Sequence, residues 1–174
     1  SMELPFYGRA TALAVDPIEK KPLYHFHPGG SILSVGFLGC NFRCPFCQNY
    51  RISQGDNAST EDLTPDALPD LARAHGSIGV AYTYNEPVIH YEFVLSAARL
   101  VRGAGLKNVV VTAGYLETEP AERLLPFIDA VNVDLKSFNR EFYRTEVQGR
   151  LEPVKRFIEL AVKHCHVEVT TLVI

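Results

Sequence analysis

Five short runs of apolar and β-branched residues recur along the chain: Ile32 to Phe37, Ile78 to Tyr84, Asn108 to Thr112, Ala130 to Leu135 and Val167 to Ile174. Their length and continuity predict buried strands. Between them the period changes. From Pro87 to Val101, the residues Val88, Tyr91, Leu95 and Ala98 fall three and four apart, and Ile89 and Val94 widen the same stripe, which predicts an amphipathic helix. A second helix is expected from Thr64 or Asp66 to about His75, and the Asp66 start puts Pro69 in the first turn, where a missing N–H costs little. Thr118 before Glu119-Pro120 and Glu152 before Pro153 each join a polar residue to a first-turn proline, so two further helices open there. Gly103 and Gly105 supply a stop before the third strand.

Strand and helix thus alternate, which implies parallel strands joined by crossovers and an α/β fold. An open doubly wound sheet and a barrel compete as closures. A complete eight-stranded barrel takes about 250 residues, and 174 residues hold fewer units. The expectation is therefore a partial (β/α) TIM-like barrel of five to six parallel strands with helices outside. Residues 1–174 read as one domain, with residues 1–28 an N-terminal extension and residues 29–174 the partial barrel. In the extension, Arg9 to Val15 and Pro22 to Phe26 flank Asp16-Pro17 and Glu19-Lys20-Lys21, which suggests a β-hairpin. Ser53 to Glu61 is polar and rich in Gly, Asn and Ser, and is expected to be a mobile surface loop. The last residue, Ile174, falls inside the fifth apolar run, so the chain reads as cut from a longer protein.

Charge narrows the function classes without naming one. With 17 Lys+Arg against 20 Asp+Glu the formal net charge is −3, so no basic field is available to hold a phosphate backbone, and nucleic acid is not an expected partner. No apolar run approaches the roughly 18 residues of a membrane span, and no signal-peptide pattern opens the chain. A cytoplasmic location away from the membrane is expected. A chain of this size buries enough surface to fold without metal or disulfides.

The chemistry concentrates in Gly39-Cys40-Asn41-Phe42-Arg43-Cys44-Pro45-Phe46-Cys47-Gln48-Asn49, directly after the first strand, on what is the catalytic face of a parallel α/β fold. The remaining cysteine, Cys165, stands far away, so this is no disulfide framework. Three thiols spaced four and then three residues apart suit a polynuclear iron–sulfur centre, which with three protein ligands keeps one iron open. The alternative is a structural zinc with a histidine or Cys165 as fourth ligand, although zinc sites usually bring their ligands as two close pairs. The same spacing is thus compatible with an enzyme, a non-enzymatic iron–sulfur electron carrier, or a zinc-stabilised interaction domain.

Cys40-x-x-x-Cys44-x-aromatic-Cys47 resembles the signature loop of the radical S-adenosylmethionine (SAM) superfamily. Together with Tyr82-Thr-Tyr-Asn-Glu-Pro87 after the second strand and Asp134-Leu-Lys136 after the fourth, it is similar to the AmmeMemoRadiSam-type proteins, relatives of pyruvate formate-lyase activating enzyme. The resemblance implies a [4Fe-4S] cluster on Cys40, Cys44 and Cys47 whose open iron binds SAM. Reductive cleavage then gives a 5′-deoxyadenosyl radical that abstracts hydrogen from a substrate, which in the activases is a protein. It also implies a reducing electron donor such as flavodoxin or ferredoxin. By the same resemblance Phe46 and Gln48 lie near adenine. Tyr84, Asn85 and Glu86 take the place of the superfamily's Gly-Gly-Glu, whose backbone meets the SAM amino group, and here both glycines are absent. Leu135, Lys136 and Ser137 match a stretch that approaches SAM. Thr112 and Asp134 match two ligands of a monovalent cation, while Val111 stands where a further carboxylate is expected.

Plainer roles exist for several of these residues. Glu86 suits a helix N-terminus, Asp134 and Lys136 suit a strand-end ion pair, and Thr112 suits a turn. His25 and His27 share one face of a presumed strand, where a metal pair competes with plain solvation. Cys165 reads as a partly buried small apolar residue, and Tyr82, Tyr84 and Tyr91 as core or pocket wall. The stretch containing Arg140, Arg144, Arg150, Lys155 and Arg156 reads as a solvated face.

Overall fold

The computed structural model describes residues 6–55 and 58–173. In chain order the elements are β1 (Arg9–Ala10), β2 (Ala12–Pro17), β3 (Ser31–Gly36), α1 (Tyr50–Ser53), β4 (Glu61–Asp62), α2 (Ala67–Ala74), β5 (Gly79–Tyr82), α3 (Tyr91–Gly103), β6 (Lys107–Thr112), α4 (Thr118–Leu124), β7 (Ala130–Asp134), α5 (Arg140–Phe142), α6 (Leu151–Ala161) and β8 (His166–Thr170). One sheet of six strands runs in the order β2-β3-β5-β6-β7-β8, and β1 and β4 form a separate two-stranded pair. Strands β3, β5, β6, β7 and β8 are parallel, with Leu33 opposite Val80, Val80 opposite Asn108, Val110 opposite Val131 and Val131 opposite Val167. This is the parallel α/β sheet expected from the alternation of runs, consistent with a partial barrel.

Period two along the strands sends alternate side chains to opposite faces. Leu33, Val35, Val80, Tyr82, Val110, Val131 and Val133 point to the helix side, where they pack with Phe93, Val94, Val101, Leu124 and Phe157 in the main core. The opposite face carries Ile32, Ala81, Val109 and Ala130, and it is covered by Ile18 and Leu23 from the connection that follows β2. Both faces are buried, which is why the strands read as continuous apolar runs.

That connection corrects the expected hairpin. Residues 22–26 form no strand, and β2 pairs instead with the first parallel strand, Ala12 opposite Gly36 and Pro17 opposite Ser31. Ile18 and Leu23 are fully buried, so burying two large apolar side chains on the inner sheet face outweighs a local ladder in which Pro22 has no N–H to donate. The helix expected from Pro87 opens with a 3-10 turn over Pro87–His90 and becomes α-helical at Tyr91. Asp66 stands at the N-cap of α2 as expected, with helical dihedral angles and no side-chain capping bond. The polar stretch from Ser53 to Glu61 ends in β4, which pairs with β1; its Asp56 and Asn57 lie outside the described residues. The fifth apolar run is a strand from His166 to Thr170 only, and its last residue, Ile174, also lies outside them. Among the described residues no helix is long and apolar enough to cross a membrane.

Candidate functional site

The C-terminal ends of four adjacent parallel strands open onto one cavity of about 430 Å³. The cysteine loop leaves β3, Thr83 to Glu86 leave β5, Thr112 ends β6, and Asp134 ends β7 with Lys136 beyond it; Thr170 to Val173 close the far side. Parallel sheets place ligand sites here because the chain must turn back into a helix, leaving loops free to carry polar groups.

Phe42 anchors the cysteine loop. It is buried, stacks at a tilt on Tyr115 at 4.7 Å and meets Tyr143 edge-on at 5.9 Å. The surrounding backbone is tied at several points: Gly39 N–H to Ile52 O at 2.8 Å, Arg43 N–H to Val147 O at 3.0 Å, and Phe42 O accepting from Gln54 Nε2 at 2.7 Å. Cys40, Cys44 and Cys47 are all free thiols and all line the cavity. Cys44 is the most enclosed, at 8 % exposure. Burial, with the Glu86 carboxyl adding to it, pushes the Cys40 thiol up to about 12, and burial also raises Cys44, opposed by the Lys136 ammonium.

Among the described residues, no three or more His, Cys, Asp or Glu side chains gather tightly enough to hold a single metal ion. The three thiols share a wall without converging on a point. A polynuclear core is wider than one ion and is met by a wall, so the donor set fits the soft thiolate ligation of an iron–sulfur cluster. His25 and His27 belong to no such group either.

Glu86 is 1 % exposed and caps the 3-10 turn, with Oε1 accepting from Val88 N at 3.2 Å. Oε1 also accepts from the Thr112 hydroxyl at 2.6 Å, and Oε2 accepts from Ala113 N at 2.8 Å. Burial raises its pKa, and these three donors act against the rise. Thr112 in turn accepts from Gly114 N at 2.9 Å. Both residues thus hold the end of β5 to the end of β6, and in this structure the Thr112 hydroxyl is occupied by protein partners.

Asp134 and Lys136 form an ion pair through Oδ2 at the end of β7. Asp134 Oδ1 is buried beside the cavity with no partner among the described residues. Phe46, Gln48, Tyr84 and Asn85 line the cavity together with Lys136; Leu135 and Ser137 do not. Leu135 is held by its backbone to Thr170 O at 2.9 Å, and the Ser137 hydroxyl accepts from Asn139 N at 3.1 Å. Tyr84 adopts φ +74°, a left-handed conformation that costs a bulky residue about 1–3 kcal/mol. Its carbonyl accepts from Asn49 Nδ2, while Asn85 Nδ2 donates to Gly39 O at 2.5 Å and Asn85 Oδ1 accepts from Phe37 N at 3.3 Å.

Sequence reasoning missed Asn49 and Asn132 as site residues. Asn49 lies inside the quoted cysteine motif, and its amide beside a chain reversal is the only available signal. Asn132 and Asp134 alternate with Val131 and Val133, so the two polar positions of β7 share the face that meets the cavity. Outside the cavity, Cys165 is partly buried and its thiol donates to Ala161 O, as befits a small apolar residue. Arg140, Arg144 and Arg150 pair with Glu152, Glu141 and Glu117 on an exposed face.

The sequence pattern of the Radical SAM superfamily matches residues 35–174. Over 171 residues the chain is 43 % identical to an uncharacterised protein of Methanocaldococcus jannaschii, covering 97 % of this chain and 50 % of that protein. It is 28 % identical over 125 residues to the pyruvate formate-lyase-activating enzyme of Listeria monocytogenes, covering 65 % of this chain and 50 % of the enzyme. The chain spans about half the length of these curated relatives. Among solved structures, Streptococcus suis SuiB bound to S-adenosylmethionine superposes with a TM-score of 0.58 at 13 % identity, over 75 % of this chain and 31 % of that one. Escherichia coli QueE superposes with a TM-score of 0.51 at 13 % identity, over 94 % of both chains. At these identities the two structures speak for the fold alone.

Proposed function

The chain belongs to the radical SAM superfamily, and from that premise we propose that Cys40, Cys44 and Cys47 hold a [4Fe-4S] cluster, that SAM binds beside it in the cavity, and that the protein acts as an activating-enzyme-like radical SAM oxidoreductase. The observation that carries this reading is the one cavity shared by three free thiols and by the ends of four adjacent strands. A bound cluster, once reduced by one electron, supplies the reductive cleavage of SAM to methionine and a 5′-deoxyadenosyl radical that takes hydrogen from the substrate.

The residues of the chain prepare that chemistry. Burial raises the thiols of Cys40 and Cys44, and because the ligating form is the thiolate, loading the centre would release protons and be favoured by rising pH. Phe46 and Gln48 flank the third thiol in the cavity wall, where they would meet the adenine. Asp134 Oδ1, buried and without a partner among the described residues, would accept a hydrogen bond from a donor group of the nucleotide. Lys136 balances the Asp134 carboxylate and the charge of a carboxylate-bearing ligand. Thr112 and Glu86 keep the β5 and β6 ends together so that the cavity holds its shape; Leu135, through its backbone, and Ser137, through its hydroxyl, hold the turn after β7.

Residues 1–174 form one radical SAM core domain in this reading, with residues 1–28 as its extension. The substrate class is a protein, by analogy with the activating enzymes, and the electron comes from a reduced donor such as flavodoxin or ferredoxin. Anaerobic reconstitution with iron and sulfide tests the reading. A brown protein that with dithionite converts SAM to 5′-deoxyadenosine supports it. A stable cluster inert toward SAM indicates an electron carrier, and a colourless protein with one zinc indicates an interaction domain; either result overturns it.

A further inference from the structure

The N-terminal segment passes directly beneath the cavity. Lys21, 1 % exposed, donates from Nζ to Asp16 Oδ2 at 2.8 Å. The Tyr84 hydroxyl donates to the same oxygen at 2.5 Å, and the Lys21 ammonium stands 4.4 Å from the centre of the Tyr84 ring. Lys20 adds a longer contact to Asp16 Oδ1 at 3.3 Å. The segment is fixed in turn to β7, where Asn132 Nδ2 donates to Pro22 O at 3.0 Å. The ring also needs Gly36: a Cβ there would lie 2.8 Å from Tyr84 Cδ2.

A buried carboxylate and ammonium in contact with a half-buried phenol are expensive unless each satisfies the others. Here they do, and the group they hold is the one non-glycine residue that leaves β5 in a left-handed conformation. Such a conformation persists only where the surroundings over-determine it. The segment it sets also grips the cysteine loop at both ends: the Tyr84 carbonyl accepts from Asn49 Nδ2, and the side-chain amide of the next residue, Asn85, donates to Gly39 O.

We propose that Asp16, Lys21 and Tyr84 form a positioning clamp that sets the Tyr84–Asn85 backbone against the cysteine loop, making the segment from Asp16 to Pro22 part of the SAM-binding unit. The proposal rests on the reading of the cavity as a SAM site. Side-chain anchoring from below does here what glycine freedom would do in a loop with no such anchor. Burial and the bond to Asp16 hold the phenol up at about 12, so it remains a donor across the physiological range. Lys21 and Tyr84 together overcome the burial of Asp16 and hold it well below the usual carboxylate range, so the acceptor stays charged.

The test uses the full chain before and after anaerobic reconstitution, as wild type, Tyr84→Phe and Asp16→Asn. Before reconstitution, iodoacetamide alkylation of each cysteine is followed by peptide mass spectrometry. The expected result is a several-fold faster reaction at Cys40 and Cys47 in both variants, with Cys165 unchanged. After reconstitution to equal iron content, equilibrium dialysis is expected to show SAM bound about tenfold more weakly, close to 1.4 kcal/mol. Unchanged thiol rates, or unchanged SAM affinity, in variants of a wild type that binds SAM overturn the clamp alone. A reconstituted wild type that binds no SAM overturns the functional reading as well. An equal rise at Cys165 in both variants also overturns the clamp, because the three residues then support the whole fold.

Discussion

Both carboxylate oxygens of Glu86 are committed to donors, so its neutral isostere has no good orientation. In Glu86→Gln the amide NH₂ must face either Ala113 N–H or the Val88 N–H and Thr112 hydroxyl. A buried donor left facing a donor costs about 1–3 kcal/mol, and urea unfolding of the metal-free variant is expected to show a loss of that size. Sequence reading placed Glu86 correctly at a helix start, but its bonds to the end of β6 join residues 26 and 27 positions apart and come only from the fold. Cys44 belongs to the opposite class. It sits in a loop already anchored by Phe42, so Cys44→Ala is expected to abolish iron retention, read by metal analysis, while the thermal transition of the metal-free chain stays close to that of wild type.

At the scale of elements, α3 carries the largest apolar load onto the sheet. Phe93 is fully buried and meets Phe37 edge-on at 5.0 Å. Truncation in Phe93→Ala is expected to cost about 3–5 kcal/mol, measured by the denaturation midpoint. Gly79 decides how closely β5 approaches β6: a Cβ there would stand 1.9 Å from Lys107 O. Gly79→Ala therefore forces the two strands apart, and loss of cooperative unfolding is the expected outcome. The strands were legible because burial on both faces leaves a continuous apolar run, which needs no partner to be recognised. The pairing of β2 was not, since Leu13 and Val15 read equally well beside any strand and the choice fell to where Ile18 and Leu23 find a buried face.

For the whole molecule, the ionisation of buried groups sets the alkaline limit. Burial pushes the thiols of Cys40 and Cys165 up to about 12 from 9.0, and the phenols of Tyr84 and Tyr143 up to about 12 from 10.0. Above about pH 9 the unfolded chain sheds these protons while the folded chain keeps them. The unfolded state then binds fewer protons, and stability falls as pH rises. The melting temperature of the metal-free chain is expected to hold to about pH 8.5 and decline steadily from about pH 9 to about pH 11, which calorimetry at fixed ionic strength checks.

By itself the sequence determined the alternation of strand and helix, the parallel sheet and the cysteine loop at a strand end. Each of these follows from side-chain period or from residues adjacent in the chain. The tertiary structure decided which strand β2 joins, that Glu86 bonds across to β6, and that Asp16 and Lys21 meet Tyr84 under the cavity. The Glu86 and Tyr84 contacts join residues 26 to 68 positions apart, and the β2 partners lie 14 to 24 apart. No local pattern encodes them, because they exist only once the sheet has closed enough to bring distant strand ends within hydrogen-bond reach.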